Sequence, residues 1–289
     1  MTCVSPANKS DDRKSSHRLV PPAAAVSAYI RPFASTLSRW VRILWILSIR
    51  AAVTRVGGNP LGFLLVILEP ISLIVIFSLI YSVIDKRPVF GPSQALFHAT
   101  GVIPFYWFIR LVNRTRNVQL DSAVRYPIIR PLDAFIAQLI VECVIMALVT
   151  LVVFFGMAQL GVPDAIPFDA ASCAAAVVVL VVFSAGLGLI SAVITGFFPV
   201  WAQIMQVLSR GMMLLSGVFQ VLDFYPVELR DVLAWNPIAQ GIIWFRTGVL
   251  HHYPAYSLDI QYFVFCALAM LALGLVFEQG TRRRRGNRL

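Results

Sequence analysis

Three charged side chains interrupt long apolar runs of the sequence and are the first candidates for chemistry. Glu69 and Glu142 each stand alone in such a run, and Arg210 follows 40 uncharged positions. An arginine in an apolar medium is costly, so it usually faces a polar interior or an opposite charge. Two interpretations remain open. Arg210 forms a structural ion pair with one of the glutamates, or it faces a path through the protein, where its planar fork binds a carboxylate or phosphate.

Aromatic side chains cluster nearby. Four of them are consecutive, from Phe105 through Tyr106 and Trp107 to Phe108, and Trp201 lies on a later segment. Aromatic faces stack on sugar rings, whereas the alternative is a belt at a membrane interface. Four consecutive residues point all ways round a helix, so at most two of them line one channel.

Signatures of catalysis and of metal binding are not found in the sequence. The three lysines lie outside any phosphate-cradling Gly-Lys motif, so we expect no nucleotide hydrolysis by this chain. The four cysteines are widely separated, and no His-Glu-x-x-His pattern occurs. We therefore predict no catalytic residue, cofactor or metal.

The composition is that of a membrane protein. Of 289 residues, 58% are hydrophobic and 13% charged, and the mean hydropathy is +0.78. Soluble domains carry about 25% charged residues. The net charge of +10 is divided between apolar runs rather than gathered in one patch, which indicates membrane topology and not nucleic-acid binding.

Six apolar segments of about 20 residues predict an all-α integral membrane protein with six transmembrane helices. The break at Thr195–Pro199 divides one long run into helices four and five. The predicted helices cover 61–84, 88–112, 134–160, 171–195, 200–222 and 258–277. Between helices five and six, the short stretches 227–235 and 238–250 predict re-entrant or interfacial helices.

The ends of the chain differ from this domain, which we place at residues 57–280. Residues 1–36 resemble a disordered basic tail, and residues 281–289 form a second basic tail. Residues 37–56 predict an amphipathic interfacial helix, because Arg39, Arg42 and Arg50 share one helical arc. The alternative is the start of a longer spanning helix.

The basic residues predict the orientation. On a six-helix path, nineteen lysines and arginines fall on one side and four on the other. Because the cytoplasmic side carries the excess, both termini are expected in the cytoplasm.

Several short motifs along this path resemble one family in their order. Arg50 and Arg55 precede Gly57-Gly58 and Leu68-Glu69-Pro70. The later motifs are Thr100–Phe105, Tyr126–Asp133, Ser216–Phe219, Trp235–Pro237 and Arg246–Gly248. This order is similar to the permease subunits of type 2 ABC exporters, and within them to the capsular polysaccharide exporters.

The resemblance implies a function and partners. Such permeases form homodimers bound to ATP-binding cassette ATPase subunits. The implied substrate is a lipid-linked polysaccharide, exported from the cytoplasm across the bacterial inner membrane. A periplasmic adaptor and an outer-membrane exporter would continue the route.

The inside connection 118–133 is the predicted coupling element that receives force from the ATPase. Its alternative is a solvated connection with no special role. The residues assigned to coupling are Arg125, Tyr126, Pro127, Arg130, Pro131 and Asp133.

Other functions remain open at this point. The same family exports O-antigen, teichoic acid or drugs, and a membrane-embedded enzyme acting on glycolipids is a third possibility. The only adjacent acidic pair, Asp11-Asp12, lies in the tail, which disfavours the enzyme.

Overall fold

The computed structural model describes residues 42–53, 60–84, 88–125 and 131–286. The chain divides into two compact units, Met1–Ile43 and Leu44–Leu289, and all described residues except 42 and 43 belong to the second unit. The predicted disordered tail 1–36 lies outside the described residues. Within the described ranges, every regular element is a helix.

The helices follow one another with short connections. Helix α1 covers residues 42–53, and a 3₁₀ turn covers Leu222–Phe224 between α6 and α7. The remaining helices are α2 Pro60–Ile84, α3 Gln94–Arg125, α4 Pro131–Gln159, α5 Ala170–Phe197, α6 Trp201–Leu215, α7 Val227–Ala234, α8 Pro237–Val249 and α9 Ile260–Gly286.

Five of the described helices are long and apolar enough to cross a membrane, namely α2, α3, α4, α5 and α9. The all-α membrane architecture is therefore confirmed, but helix length alone does not support a sixth span. Helix α6 has 15 residues, whereas we predicted a helix over 200–222. It ends early because Gly217 adopts a left-handed φ of +69°, a conformation that terminates helices.

Helix α3 forms the centre of the fold. It packs against α2, α4, α5 and α8, and 83% of its most apolar stretch is buried within the chain. The corresponding share for α2 and α9 is 17%. These two helices therefore offer broad apolar faces to a surrounding lipid or protein phase.

Helix α3 is longer than predicted. It extends to Arg125, because the sequence between Pro104 and Pro127 contains neither proline nor glycine to end it. The connection predicted at 118–133 is thus helical at both ends, and only residues 126–130 separate α3 from α4. Likewise α9 continues to Gly286 instead of ending before the predicted tail 281–289.

Local chemistry explains where several helices begin. Pro60, Pro131 and Pro237 each occupy the first position of a helix, where the missing N–H is not needed. Asp169 caps α5 by accepting hydrogen bonds from the N–H groups of Ala171 and Ser172, both at 3.1 Å. Hydrogen bonds from Ser172 and Ala171 lower the pKa of Asp169.

The two short helices predicted between helices five and six are present as α7 and α8. Most of α8 is buried, and it packs on α3, α5 and α9. By contrast, α7 has no buried residue. Whether either lies at re-entrant depth stays a prediction, as does the interfacial position of α1. Exposed Trp45 and Ile49 lie on α1 together with exposed Arg50.

Helices α5 and α9 approach so closely that their backbones touch. A Cβ at Gly186 would overlap the backbone of Met270 and Leu271, and a Cβ at Gly274 would lie 2.7 Å from the Gly186 carbonyl oxygen. Small residues at such crossings allow helices in membranes to pack by van der Waals contact.

Gly186→Ala is expected to lower the free energy of unfolding by about 1–3 kcal/mol, because rigid backbone cannot make room for the new methyl group. Thermal unfolding in detergent would measure the effect. Gly156→Ala is the matched control, since no atom lies within 4 Å of a Cβ there. Equal melting temperatures for the two variants would contradict the predicted crossing.

Candidate functional site

A polar cavity of about 470 Å³ opens between α2, α3 and α6. Its walls combine arginines, amides and aromatic rings. The lining residues are Glu69, Leu73, Phe105, Tyr106, Ile109, Arg110, Asn113, Arg114, Arg116, Asn117, Gln206, Ser209, Arg210 and Met213. Such a concave site with convergent polar groups is the usual form of a ligand site.

Helical periodicity brings these side chains together. On α3, Tyr106, Arg110, Asn113 and Asn117 recur at intervals of three or four residues, which places them on one face. On α6, the lining positions 206, 209, 210 and 213 follow the same spacing. The two polar stripes face one another across the cavity.

Arg110 is the electrostatic centre of the site. Its Nη2 lies 3.0 Å from Glu69 Oε2 on α2, and its Nη1 lies 3.6 Å from Glu142 Oε1 on α4. One guanidinium therefore joins three helices. Charge pairing of this kind is expected where ionised groups leave water.

One of the two interpretations left open for Arg210 was an ion pair with one of the glutamates, but Arg110 forms the ion pairs with both Glu69 and Glu142. The reason is positional, because α3 contacts α2 as well as α4, so an arginine on α3 reaches both carboxylates. Arg210 is exposed and lines the cavity from α6.

The predicted aromatic residues point in different directions. Phe105 and Tyr106 line the cavity. Trp107 faces away, and its Nε1 donates a hydrogen bond to Thr150 Oγ1 at 3.0 Å. Trp201, at the start of α6, lies outside the lining. Two of the four consecutive aromatics thus reach the cavity, as helix geometry allows.

Trp107 instead borders a second cavity of about 520 Å³ between α4, α5 and α8. Its lining is almost wholly apolar, with Phe154, Phe155 and Phe245 among the larger side chains. It has no charged group in its lining, so it lacks the means to bind an ion.

Sequence reasoning missed the most central residues of the site. None of Arg110, Asn113, Arg114 and Arg116 was among the predicted site residues, because the predicted helix 88–112 ended soon after the charge-free run that stops at Ile109. The recurrence of polar residues at helical spacing from 106 to 117, without a helix breaker, was the available signal.

The predicted coupling residues are only partly described. Arg125 ends α3 and Pro131 begins α4, while Tyr126, Pro127 and Arg130 lie outside the described residues. Asp133 lies in the first turn of α4, where a carboxylate complements the helix dipole.

A second buried arginine organises the connection between α6 and α8. Arg246 is 1% exposed, and its guanidinium donates hydrogen bonds to the carbonyl oxygens of Gly217 at 2.8 Å, Val218 at 2.7 Å and Gln220 at 3.3 Å. It also lies 4.2 Å from the ring centre of Phe97, within cation–π range.

Neighbouring residues complete this cluster. Gly101 lets α3 approach, because a Cβ there would overlap the Val218 carbonyl oxygen and lie 2.6 Å from Arg246 Nη2. Asn236 Nδ2 donates a hydrogen bond to Ser216 Oγ at 2.8 Å. Motifs that are far apart in the sequence, around positions 101, 217, 236 and 246, therefore meet in one place.

Five long apolar helices, three of them lying around or beside a basic cavity, define the class of this chain as a multi-pass membrane protein. The chain belongs to the ABC-2 type transporter family, whose profile matches residues 42–250.

Curated relatives match over most of their length. The capsule polysaccharide export inner-membrane protein CtrC of Neisseria meningitidis serogroup A is 25% identical over 81% of this chain and 89% of its own. The polysialic acid transport protein KpsM of Escherichia coli is 26% identical over 79% of this chain and 89% of its own. The capsule polysaccharide export inner-membrane protein BexB of Haemophilus influenzae is 24% identical over 84% and 92%.

Arg246→Leu is expected to lower the free energy of unfolding by at least about 3 kcal/mol, because it leaves several buried carbonyl groups without a donor. Thermal or denaturant unfolding of the purified protein would measure the loss. Arg230→Leu is the matched control, since Arg230 lies on exposed α7 and pairs with Asp231 at 3.2 Å. A loss of the same size in both variants would contradict the role of Arg246.

Proposed function

We propose that this chain is the permease subunit of an ATP-driven exporter that moves capsular or related lipid-linked polysaccharide from the cytoplasm to the periplasm. The observation that carries this proposal is the arginine-lined cavity of a family member whose curated relatives are named for capsule polysaccharide export and polysialic acid transport. The site of action is the bacterial inner membrane.

The cavity suits an anionic sugar substrate. Arginine forks bind carboxylates and phosphates, and the rings of Phe105 and Tyr106 offer faces for sugar rings beside those forks. Such a lining suits an acidic polysaccharide or its phosphate-bearing lipid anchor better than an uncharged apolar drug.

The energy source lies on another chain. This sequence has no phosphate-cradling Gly-Lys motif, so ATP hydrolysis is assigned to an ATP-binding cassette partner. Two permeases form the transport unit, and the largely uncovered apolar faces of α2 and α9 leave surface for that pairing. A periplasmic adaptor and an outer-membrane polysaccharide exporter complete the route.

Coupling to the ATPase is proposed at the junction of α3 and α4. Residues 126–130 separate two helices of 32 and 29 residues, and α3 carries the cavity arginines directly. A displacement of this junction by the ATPase is therefore transmitted to the cavity along one continuous helix.

Six membrane crossings with both termini in the cytoplasm fit the distribution of basic residues. The sixth crossing is α6 together with the segment that follows it. At 1.5 Å per residue, α6 itself covers about 22 Å of the membrane thickness. The buried connection held by Arg246 covers the rest of that thickness.

The function is tested by deleting the gene in its native host and staining for surface polysaccharide. We expect the polymer to accumulate inside the deletion strain, and the wild-type chain to restore export. The chain should also copurify with an ATPase and show no ATP turnover alone. Normal surface polysaccharide in the deletion strain would refute the proposed substrate.

The topology predicts that a membrane-impermeant thiol reagent labels Pro163→Cys in intact cells and does not label Gly286→Cys. Both changes are made after the four native cysteines are replaced by serine. Permeabilised cells should allow labelling at both positions. Labelling of Gly286→Cys in intact cells would show that the C-terminus is outside.

The double change Pro127→Ala and Pro131→Ala is expected to reduce export several-fold while membrane insertion is retained. Each proline fixes φ and limits flexibility at the α3–α4 junction. Export is measured by surface polysaccharide, and insertion by the amount of protein in washed membranes. Unaltered export would remove this junction from the coupling mechanism.

A further inference from the structure

The two carboxylates that share Arg110 are in unequal positions. Glu142 is 0% exposed and lies behind the guanidinium, whereas Glu69 is 57% exposed at the cavity wall. Removing a buried partner is strongly destabilising, but an exposed ion pair contributes about 0–1 kcal/mol. The bond from Glu69 to Arg110 is therefore the one that another anion can replace.

Arginine is the main charged side chain of the cavity. The lining contains four arginines, namely Arg110, Arg114, Arg116 and Arg210, and one glutamate, Glu69. Such a lining attracts an anionic group.

Polar atoms in the cavity wall also have unused hydrogen-bonding capacity. Within the described part of the chain, Arg110 Nε, Arg110 Nη1 and Asn113 Oδ1 are buried without a hydrogen-bond partner, and Nη1 meets Glu142 only as an ion pair at 3.6 Å. Buried polar atoms are normally satisfied. Both residues line the cavity, so a ligand bound there can meet them.

We propose that Glu69 occupies the position on Arg110 that an anionic phosphoryl group takes when substrate enters the cavity. Glu142 holds the guanidinium in place from behind, so the fork keeps its orientation during the exchange. Arg210 meets the same group from α6. The inference rests on the proposed function only for its source of phosphoryl groups, a lipid-linked substrate.

The exchange has a mechanical consequence. Glu69 is the charged link from α2 to α3, and most of the apolar surface of α2 is uncovered. Replacing Glu69 with a substrate anion removes this link. The apolar packing of α2, such as Phe77 stacked on Phe219 with ring centres 3.9 Å apart, remains, and α3 and α4 stay joined through Glu142.

The proposal makes an unusual prediction about the sign of a mutational effect. Glu69→Gln is expected to tighten anion binding about fivefold, because a competing charge is removed while shape is kept. Arg110→Gln should weaken binding about tenfold or more, since charge-assisted hydrogen bonds are lost. Arg110→Lys should recover only part of it, because lysine lacks the planar fork.

Calorimetric titration of inorganic pyrophosphate into the full-length chain, held in phosphatidylcholine nanodiscs, measures these affinities. Asp231→Asn is the matched control. It removes a carboxylate from the Arg230–Asp231 pair outside the cavity, so its affinity should equal that of the wild type.

A second arm distinguishes a lipid headgroup from a free phosphate. Native mass spectrometry counts phosphatidylglycerol retained by each variant from mixed nanodiscs. If the variants rank in the same order by retained phosphatidylglycerol, the proposal is supported with a lipid headgroup as the source of the phosphoryl group. If they rank in this order only by pyrophosphate affinity, the proposal is supported with a phosphate that needs no lipid. Binding by Glu69→Gln that equals or falls below the wild type in both arms overturns it.

Folding is monitored by thermal unfolding in each case. If Glu69→Gln does not fold, Glu69→Asp takes its place, because the shorter side chain withdraws the carboxylate from Arg110 and should also tighten binding. Export separates this inference from the proposed function. A wild type that exports polysaccharide while Glu69 variants bind no tighter refutes the exchange alone, whereas the expected binding order without any polysaccharide export refutes the function alone.

Discussion

The pairing of ionised groups away from water is the constraint on which this structure depends most. Arg110 satisfies two carboxylates on two different helices, and their separations of 3.0 and 3.6 Å fix how α2, α3 and α4 align. A shift of one helical turn along any of these helices would move a charge about 5.4 Å from its partner. For the buried pair with Glu142 such a separation is costly, whereas the exposed pair with Glu69 contributes less. The polar cavity then forms where α6 adds its own polar stripe to this charged frame.

The protein accommodates its other buried arginine by a different means. Arg246 uses backbone carbonyl groups of the 217–220 connection and the hydroxyl of Tyr253 at 3.2 Å. These carbonyls lie just beyond α6, where helix ends leave acceptors unsatisfied. The glycines at 101 and 217 allow the necessary backbone approach. Four of the motifs that resemble the exporter family, namely Thr100–Phe105, Ser216–Phe219, Trp235–Pro237 and Arg246–Gly248, therefore meet near one side chain.

The sequence predicted the helices well and the charged contacts poorly. Apolar runs identified α2, α4, α5 and α9 because burial in lipid requires about 20 such residues. The length of α3 was underestimated because the predicted span ended at residue 112, soon after Arg110, although the partners of Arg110 on α2 and α4 allow this arginine to lie within a longer helix. The position where α6 ends depends on the left-handed φ of Gly217. The identity of the arginine that pairs with Glu69 and Glu142 depends on which helices are neighbours in the fold. Neither property can be deduced from spacing along one segment.

The two arginine sites together indicate which parts of the fold are fixed and which can move. Gly101 and Arg110 are nine residues apart on α3, or about 14 Å, so one helix connects both sites. At the Gly101 end, α3 is held against α8 by a guanidinium that is almost fully buried. At the Arg110 end, the bond to α4 is buried while the bond to α2 is open to the cavity. Because exposed ion pairs exchange readily with other ions and buried pairs do not, an anion that enters the cavity can replace Glu69 on Arg110 and leave the packing of α3 with α4, α5 and α8 intact.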